Sequence, residues 1–213
     1  MMVTCSTYGV YRAVVLTTLL YGSESCVTYR QHLRLLERFH QRCLRSILNI
    51  HWSDYVTNVE VLERAEITSI EAMLMKTQLR WAGHISRMED HRLPKIVLYS
   101  ELSTGNRNRG APKKRYKDTL KKSLQCCNID NRQWSVLAAD RGTWRNTVHQ
   151  AVSSFEKRRR AALEEKRSRR KNRTVTAPTP ESFFPCSRCG RVCRSRIGLI
   201  SHQRACTSCG QNP

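Results

Sequence analysis

Residues 184–206 read FPCSRCGRVCRSRIGLISHQRAC. Cys186 and Cys189 are separated by two residues, twelve residues then lead to His202, and three more lead to Cys206. This is metal-ligand spacing. A short Cys knuckle followed by two ligands one helical turn apart gathers four soft or borderline donors around a tetrahedral ion, and Zn²⁺ is the ion expected there, at roughly 2.0–2.3 Å. The apolar positions agree with a small ββα zinc finger: Phe184 lies two before the first Cys and Leu199 three before His202, where so small a unit keeps its few buried side chains. Cys193 stands where an aromatic is usual, which thins that mini-core. The expected metal ligands are Cys186, Cys189, His202 and Cys206, and competition from Cys209 for the place of Cys206 stays open. If the finger reads bases, its helix over about residues 194–204 enters the major groove, and Arg194, Arg196 and Arg204 are the side chains able to pair bidentately with guanine.

Charge extends the reading outward. The chain of 213 residues carries 38 Lys and Arg against 17 Asp and Glu, a formal net charge of +21. Residues 1–104 hold twelve cations against ten anions, and residues 105–213 hold twenty-six against seven, so +19 of the excess lies in the second half. A near-neutral half followed by a strongly basic one predicts a folded body and a C-terminal region that binds a polyanion, with RNA or DNA as the partner. Ten cysteines, half of them between 186 and 209 with metal spacing, fit a reducing compartment better than a disulfide framework. The run AVVLTTLLY at 13–21 is too short to span a bilayer and lacks the charged lead-in of a signal peptide, so it is expected to be a buried helix and no membrane partner is expected.

Within 29–50, Leu33, Leu36, Phe39, Cys43, Leu44, Ile47 and Leu48 recur at three and four, which predicts an amphipathic helix with arginines on its solvent face. Thr57 with Glu60, and Thr68 with Glu71, are capping-box pairs that open two further helices. The second carries a stripe of Ile70, Met73, Leu74, Thr77, Trp81, Ile85 and Met88, with His84 expected as a partly buried structural histidine. Pro94 breaks the pattern, and 95–102 is ambiguous between helix and strand. Asp130 is placed to cap a short helix bearing Trp134, and a longer helix begins near Thr143 with Trp144, Val148, Val152 and Phe155 inward.

Two basic segments complete the chain. GNRNRGAPKKRYK at 105–117 is a loop that cannot pack, and its Arg107, Arg109, Lys113, Lys114 and Arg115 can follow a phosphate backbone while counterions are released. KRRRAALEEKRSRRKNR at 157–173 holds ten Lys and Arg and two Glu, with Arg158, Arg159 and Arg160 as candidate nucleic-acid contacts and a nuclear-import tract as a further reading. TVTAPTPE at 174–181 is a linker. The expected organisation is mainly α: an irregular helical bundle over 1–155, a long basic helix and flexible linker over 156–181, and the finger over 182–209. The localisation expected is nuclear or cytoplasmic, with the nucleus favoured.

The words LLYGSESC, LERFHQRCLRSILNIHWSD, VTNVEVLERA, QLRWAGHISRM, RLPK, GAPKKRYKDTLK and DRGTWR, spread over about residues 10–150, closely resemble the segment that follows the catalytic palm in reverse transcriptases of non-LTR retrotransposons. The terminal finger is similar to one that some of these polyproteins carry at the same place. The resemblance implies an all-helical thumb and C-terminal region that grips RNA template and DNA target during target-primed reverse transcription, with other retroelement-encoded proteins as further partners. It also implies departures. Polymerisation needs paired aspartates holding two Mg²⁺ ions, whereas Glu89-Asp90 ends a helix and Asp140 precedes Arg141 in a helical context. Neither a palm nor an endonuclease is present in the sequence, so no enzymatic activity and no small-molecule substrate are expected. Cys206 stands where the family's finger usually has His, and a thiolate ligates zinc equally well. The alternatives are a stand-alone zinc-finger module that binds DNA or protein, and a translated retroelement fragment without a selected function.

Overall fold

The computed structural model describes residues 7–100, 110, 113–175 and 184–206, with backbone alone for 173–175. Arg107, Arg109, Cys209 and most of the expected linker lie outside the described residues. The chain divides into two units, 1–163 and 164–213, each taken by itself below. Nine α-helices are present among the described residues. A helical stretch at 7–10 passes through a π-helical turn, Tyr11–Val15, into α1, Leu16–Leu19. Then follow α2 (Arg30–Ile47), α3 (Asn58–Arg64), α4 (Ile70–Ser86), α5 (Leu93–Tyr99), α6 (Tyr116–Cys126), α7 (Trp134–Leu137) and α8 (Arg141–Val175).

Local chemistry sets the starts. Thr57 Oγ1 accepts from the Glu60 N–H at 3.2 Å and begins α3 as its capping box predicts. The cap of α4 is Ser69 rather than the expected Thr68: its Oγ accepts from Ala72 N–H and donates to Glu156 Oε2 at 2.6 Å. A tertiary partner has chosen between two adjacent hydroxyls. Asp140 caps α8, accepting from the Gly142 and Thr143 N–H groups at 3.1 and 2.8 Å, which moves the helix start from Thr143 to Arg141. Pro94 falls in the first turn of α5, where its missing N–H costs nothing, so residues 95–99 of the ambiguous stretch are helical, and 101–102 lie outside the described residues.

The ends of α2, α3 and α6 share one device. Asn49, Glu66 and Asn128 each take a left-handed φ of 49–55°. The next residue is isoleucine each time, and its N–H closes onto the carbonyl five back: Ile50 to Arg45, Ile67 to Leu62 and Ile129 to Leu124, at 2.9–3.0 Å. This is the Schellman closure, with an apolar residue beyond the cap folded back on the helix.

Helix α4 is the centre of the body. Ile70 and Leu74 pack with Tyr11, Leu16, Leu44, Val61 and Leu62 in one core. Ala72, Met75, Leu79, Ala82 and Ile85 pack with Leu120, Leu124, Trp134, Trp144 and Val148 in another. A helix apolar on most of its circumference is a buried helix, and the single stripe expected from the sequence covers only part of that surface. Trp144 is the closest neighbour: its indole N–H donates to the Leu79 carbonyl at 3.0 Å, and a Cβ on Gly83 would lie 2.1 Å from that nitrogen. Only glycine admits the ring.

Three expectations change. The 13–21 run lies at the surface, with Leu16 its one buried residue and Val14 56% exposed, because Leu16, together with the buried Tyr11 just before the run, suffices to cover the first core. On α2, His40, Gln41 and Leu44 are the buried residues while Phe39 is 42% exposed; Tyr11 Oη binds His40 Nδ1 at 2.7 Å and Gln41 donates to the Asn58 carbonyl, so polar partners rotate the buried face. His84 is exposed.

The body also extends beyond residue 155. Glu156 is 4% exposed and accepts from the Ser69 N–H and Oγ at the start of α4. Arg160 lies 3.2 Å from Glu156, 3.6 Å from Glu63 and donates to the Ile67 carbonyl, while Arg159 lies within 3.8 Å of Glu37, Glu71 and Glu156. Glu37 in turn accepts from the Ile70 N–H at 3.0 Å. Burial pushes the Glu37 carboxyl above its usual range, and Arg159 pulls it back. The carboxylates sit at a helix N-terminus, where the exposed N–H groups favour negative charge.

Candidate metal centre

The second unit contains strands β1 (Phe184–Pro185) and β2 (Val192–Cys193) and helix α9 (Arg196–Ala205). β1 and β2 pair antiparallel with Phe184 opposite Cys193 and Pro185 opposite Val192. Between them the knuckle turns tightly: Gly190 N–H donates to the Cys186 carbonyl and Cys186 N–H to the Arg191 carbonyl, both at 2.9 Å. Gly190 makes the turn with φ +70°, a conformation in which a Cβ is strained. Ser195 then caps α9 by accepting from the Gly198 N–H at 3.1 Å. This cap was not expected from the sequence, although a serine directly before the first helical residue, accepting from the N–H three positions on, is a recognisable start signal.

Those elements bring the four expected ligands together. One donor atom from each of Cys186, Cys189, His202 and Cys206 lies within 4.8 Å of every other. Among the described residues this is the one group of three or more His, Cys, Asp or Glu side chains that can hold a metal ion. Cys189 Sγ is 3.0 Å from His202 Nε2. Cys186 and Cys206 are buried at 2% and 8% exposure, while Cys189 and His202 are half-buried. The backbone N–H groups of Arg188 and then Cys189 point at the Cys186 sulfur and hold its thiol below the ordinary value. Cys206 is pushed up to about 11, first by its hydrogen bond with Cys189 and then by burial and the neighbouring sulfurs. Thiolates this close repel one another, and a dication among them reverses that balance by favouring every deprotonated form. Cys193 is half-buried across the hairpin, close to Gly198, and is outside the ligand group.

The candidate nucleic-acid residues fall into distinct environments. Arg194, Arg196 and Arg204 are exposed around α9. Lys114 places its Nζ 5.5 Å from the Tyr29 ring centre, and Arg115 holds Asp118 at the start of α6, so both are partly engaged in the body. Lys113 is exposed beside them. Arg158 donates to the Cys126 carbonyl at 2.6 Å and to Asn128 at 3.3 Å, covering the end of α6. With Arg159 and Arg160 in the Glu37, Glu63, Glu71 and Glu156 network, all three guanidinium groups of this run are bonded to the body. The basic run could be read from composition, but its carboxylate partners lie up to about 120 residues away in sequence and carry no local signal.

Among the described residues no helix is long and apolar enough to cross a membrane. No known family model, curated protein or solved structure matches the chain.

Proposed function

We propose that the chain binds one Zn²⁺ through Cys186, Cys189, His202 and Cys206 and contacts nucleic acid, as a remnant of a non-LTR retrotransposon reverse transcriptase without its catalytic palm. The observation that carries the metal reading is the convergence of three thiols and one imidazole within 4.8 Å on a hairpin and the helix after it. Three sulfurs and a nitrogen select a soft or borderline ion over Mg²⁺ or Ca²⁺, and a closed set of four protein ligands suits a structural rather than a catalytic site. Support for a polyanionic partner comes from the +19 excess in residues 105–213 and from the exposed Arg194, Arg196 and Arg204 around α9. The retroelement origin rests on the sequence words quoted above. The reading assigns the chain no polymerisation or strand cleavage.

Metal analysis of the purified full chain tests the core of this reading. One Zn²⁺ per chain is expected in the wild type and in Cys193→Ser, and none in His202→Ala or Cys206→Ala. Full zinc affinity in both ligand variants would overturn the assignment. Binding to RNA and DNA should weaken as salt rises, and a flat salt response would remove the nucleic-acid half of the proposal.

A further inference from the structure

The body carries a second cationic surface whose residues, apart from Lys157, lie outside the basic runs of the sequence. Two adjoining clefts, of about 820 and 420 Å³, share Thr77 and Arg80 in their walls. Their lining includes Arg12 beside α1, Lys76 and Arg80 on α4, and Arg141, Arg145 and Lys157 on α8. Spacing explains the alignment: Lys76 and Arg80 are four apart, as are Arg141 and Arg145, so each pair falls on one helical stripe, while Lys157, twelve beyond Arg145, is turned about 120° from that stripe and lines only the larger cleft. Like charges four apart cost a helix about 0.2–0.5 kcal/mol per pair, so the arrangement is held against local stability.

Pairing separates these six cations from the others. Arg159 and Arg160 are bound by Glu37, Glu63, Glu71 and Glu156. None of the six forms an ion pair with a described residue. The carboxylates lining the clefts are Glu24, Glu66 and Glu156, and Glu156 is already held by Ser69, Arg159 and Arg160. Concave walls of predominantly positive charge focus the potential and attract an anion that can run along them. Trp81 and His84, with ring centres 5.3 Å apart, line the smaller cleft among the arginines. Cations beside partly exposed aromatic rings are the requirements of an unpaired nucleic acid strand, whose phosphates take the charges and whose bases take the rings; the bases of a duplex are already stacked on each other.

We infer that the α4–α8 trough of the body is a binding site for single-stranded nucleic acid, separate from the finger. This rests on the nucleic-acid reading above and adds a place and a strand state to it. The test uses fluorescence anisotropy of the full chain with labelled oligouridylate and oligothymidylate of about twenty nucleotides, and with a duplex of the same length. The quadruple variant Lys76→Gln, Arg80→Gln, Arg141→Gln, Arg145→Gln removes four charges that form no ion pair with a described residue. At about 0.7 per phosphate contact on single strands, the slope of log affinity against log salt should flatten by about 3. Between 50 and 200 mM salt the wild type then loses about 50-fold more affinity than the variant, by the same relation. A charge-matched variant on α2, Arg30→Gln, Arg34→Gln, Arg38→Gln, Arg42→Gln, controls for net charge and should change the slope far less.

Equal flattening by the two variants, or trough-dependent binding of the duplex as tight as that of the single strands, would overturn the inference while leaving nucleic-acid binding intact. Wild-type protein that fails to bind any of the three probes would overturn both readings. His202→Ala should retain the trough-dependent slope; its loss there would assign the binding to the finger instead. The relative affinity of the two homopolymers separates RNA from DNA as the natural strand.

Discussion

Replacing Gly83 with alanine should destabilise the body by about 3 kcal/mol, although alanine is the better helix former. The added Cβ would lie 2.1 Å from Trp144 Nε1 and 2.4 Å from its Cδ1, far inside van der Waals contact. Trp144 is 2% exposed, so its ring has no solvent to move into. Forcing a methyl group into a packed core costs about 1–3 kcal/mol. Displacing the indole from the Leu79 carbonyl strands a buried donor, for about 1–3 kcal/mol more. Against these stands a gain of about 1 kcal/mol in helix propensity. Urea unfolding followed by far-ultraviolet circular dichroism measures the balance. Gly9 is the internal control: it is helical, and its Cβ would meet nothing within 4 Å, so Gly9→Ala should stabilise by up to about 1 kcal/mol. Trp144→Phe in the Gly83→Ala background should cost less than the sum of the single changes, because the two residues contend for one space. A Gly83→Ala protein as stable as the wild type would refute the close packing of α8 on α4.

Two further outcomes follow from the buried polar groups. Glu156→Ala leaves Arg160 and the Ser69 hydroxyl without their shared carboxylate and should cost about 3 kcal/mol in denaturant unfolding, whereas Lys157→Ala, exposed and one residue on, should change little. His40 is fully buried, and burial lowers its pKa to about 4, so its contribution to stability is present above pH 6.5 and is lost as pH falls from 6.5 towards 4, where the unfolded chain takes up the proton first. Glu37 acts with the opposite sign, its raised carboxyl favouring the folded state as pH falls towards the ordinary carboxylate range. A pH series of urea midpoints should therefore show a loss of at most about 3 kcal/mol that becomes shallower in His40→Gln, and an identical slope in the two proteins would contradict the burial of the neutral ring.

What could be read without coordinates was what neighbours in sequence decide. The cap at Thr57, the helical class and the ligand quartet each depend on residues within about twenty positions of one another, and each is present in the structure. The Ser69 cap was not legible, since Thr68 fits the same box and the choice is made by Glu156, 87 positions away. The same distance hid the role of Arg159 and Arg160, which look like any basic run until Glu37, Glu63 and Glu71 are brought beside them. Periodicity also underestimated α4, because a helix shared by two cores keeps only the narrow polar stripe of Lys76, Arg80 and His84 for a period to reveal. The isoleucine closures after Asn49, Glu66 and Asn128 had a signal in the sequence, a residue tolerant of left-handed φ before an apolar one, but Glu66 lacks the composition that usually marks it.

The bond from Ser69 to Glu156 has a consequence for the order in which the chain is made. A helix emerging from the ribosome ordinarily completes its first turn with residues already at hand. Here the carboxylate that holds the opening of the central helix is synthesised 87 residues after it, together with the arginines that balance its charge. Until then the start of α4 has only Ser69 Oγ on the Ala72 N–H and Glu37 on the Ile70 N–H, and contacts of such long sequence separation are slow to close. The last helix thus completes the second core, and nascent chains halted between residues 75 and 140 lack Trp144, Val148 and Val152 and leave its apolar surface uncovered, whereas every buried member of the first core lies at or before Leu74.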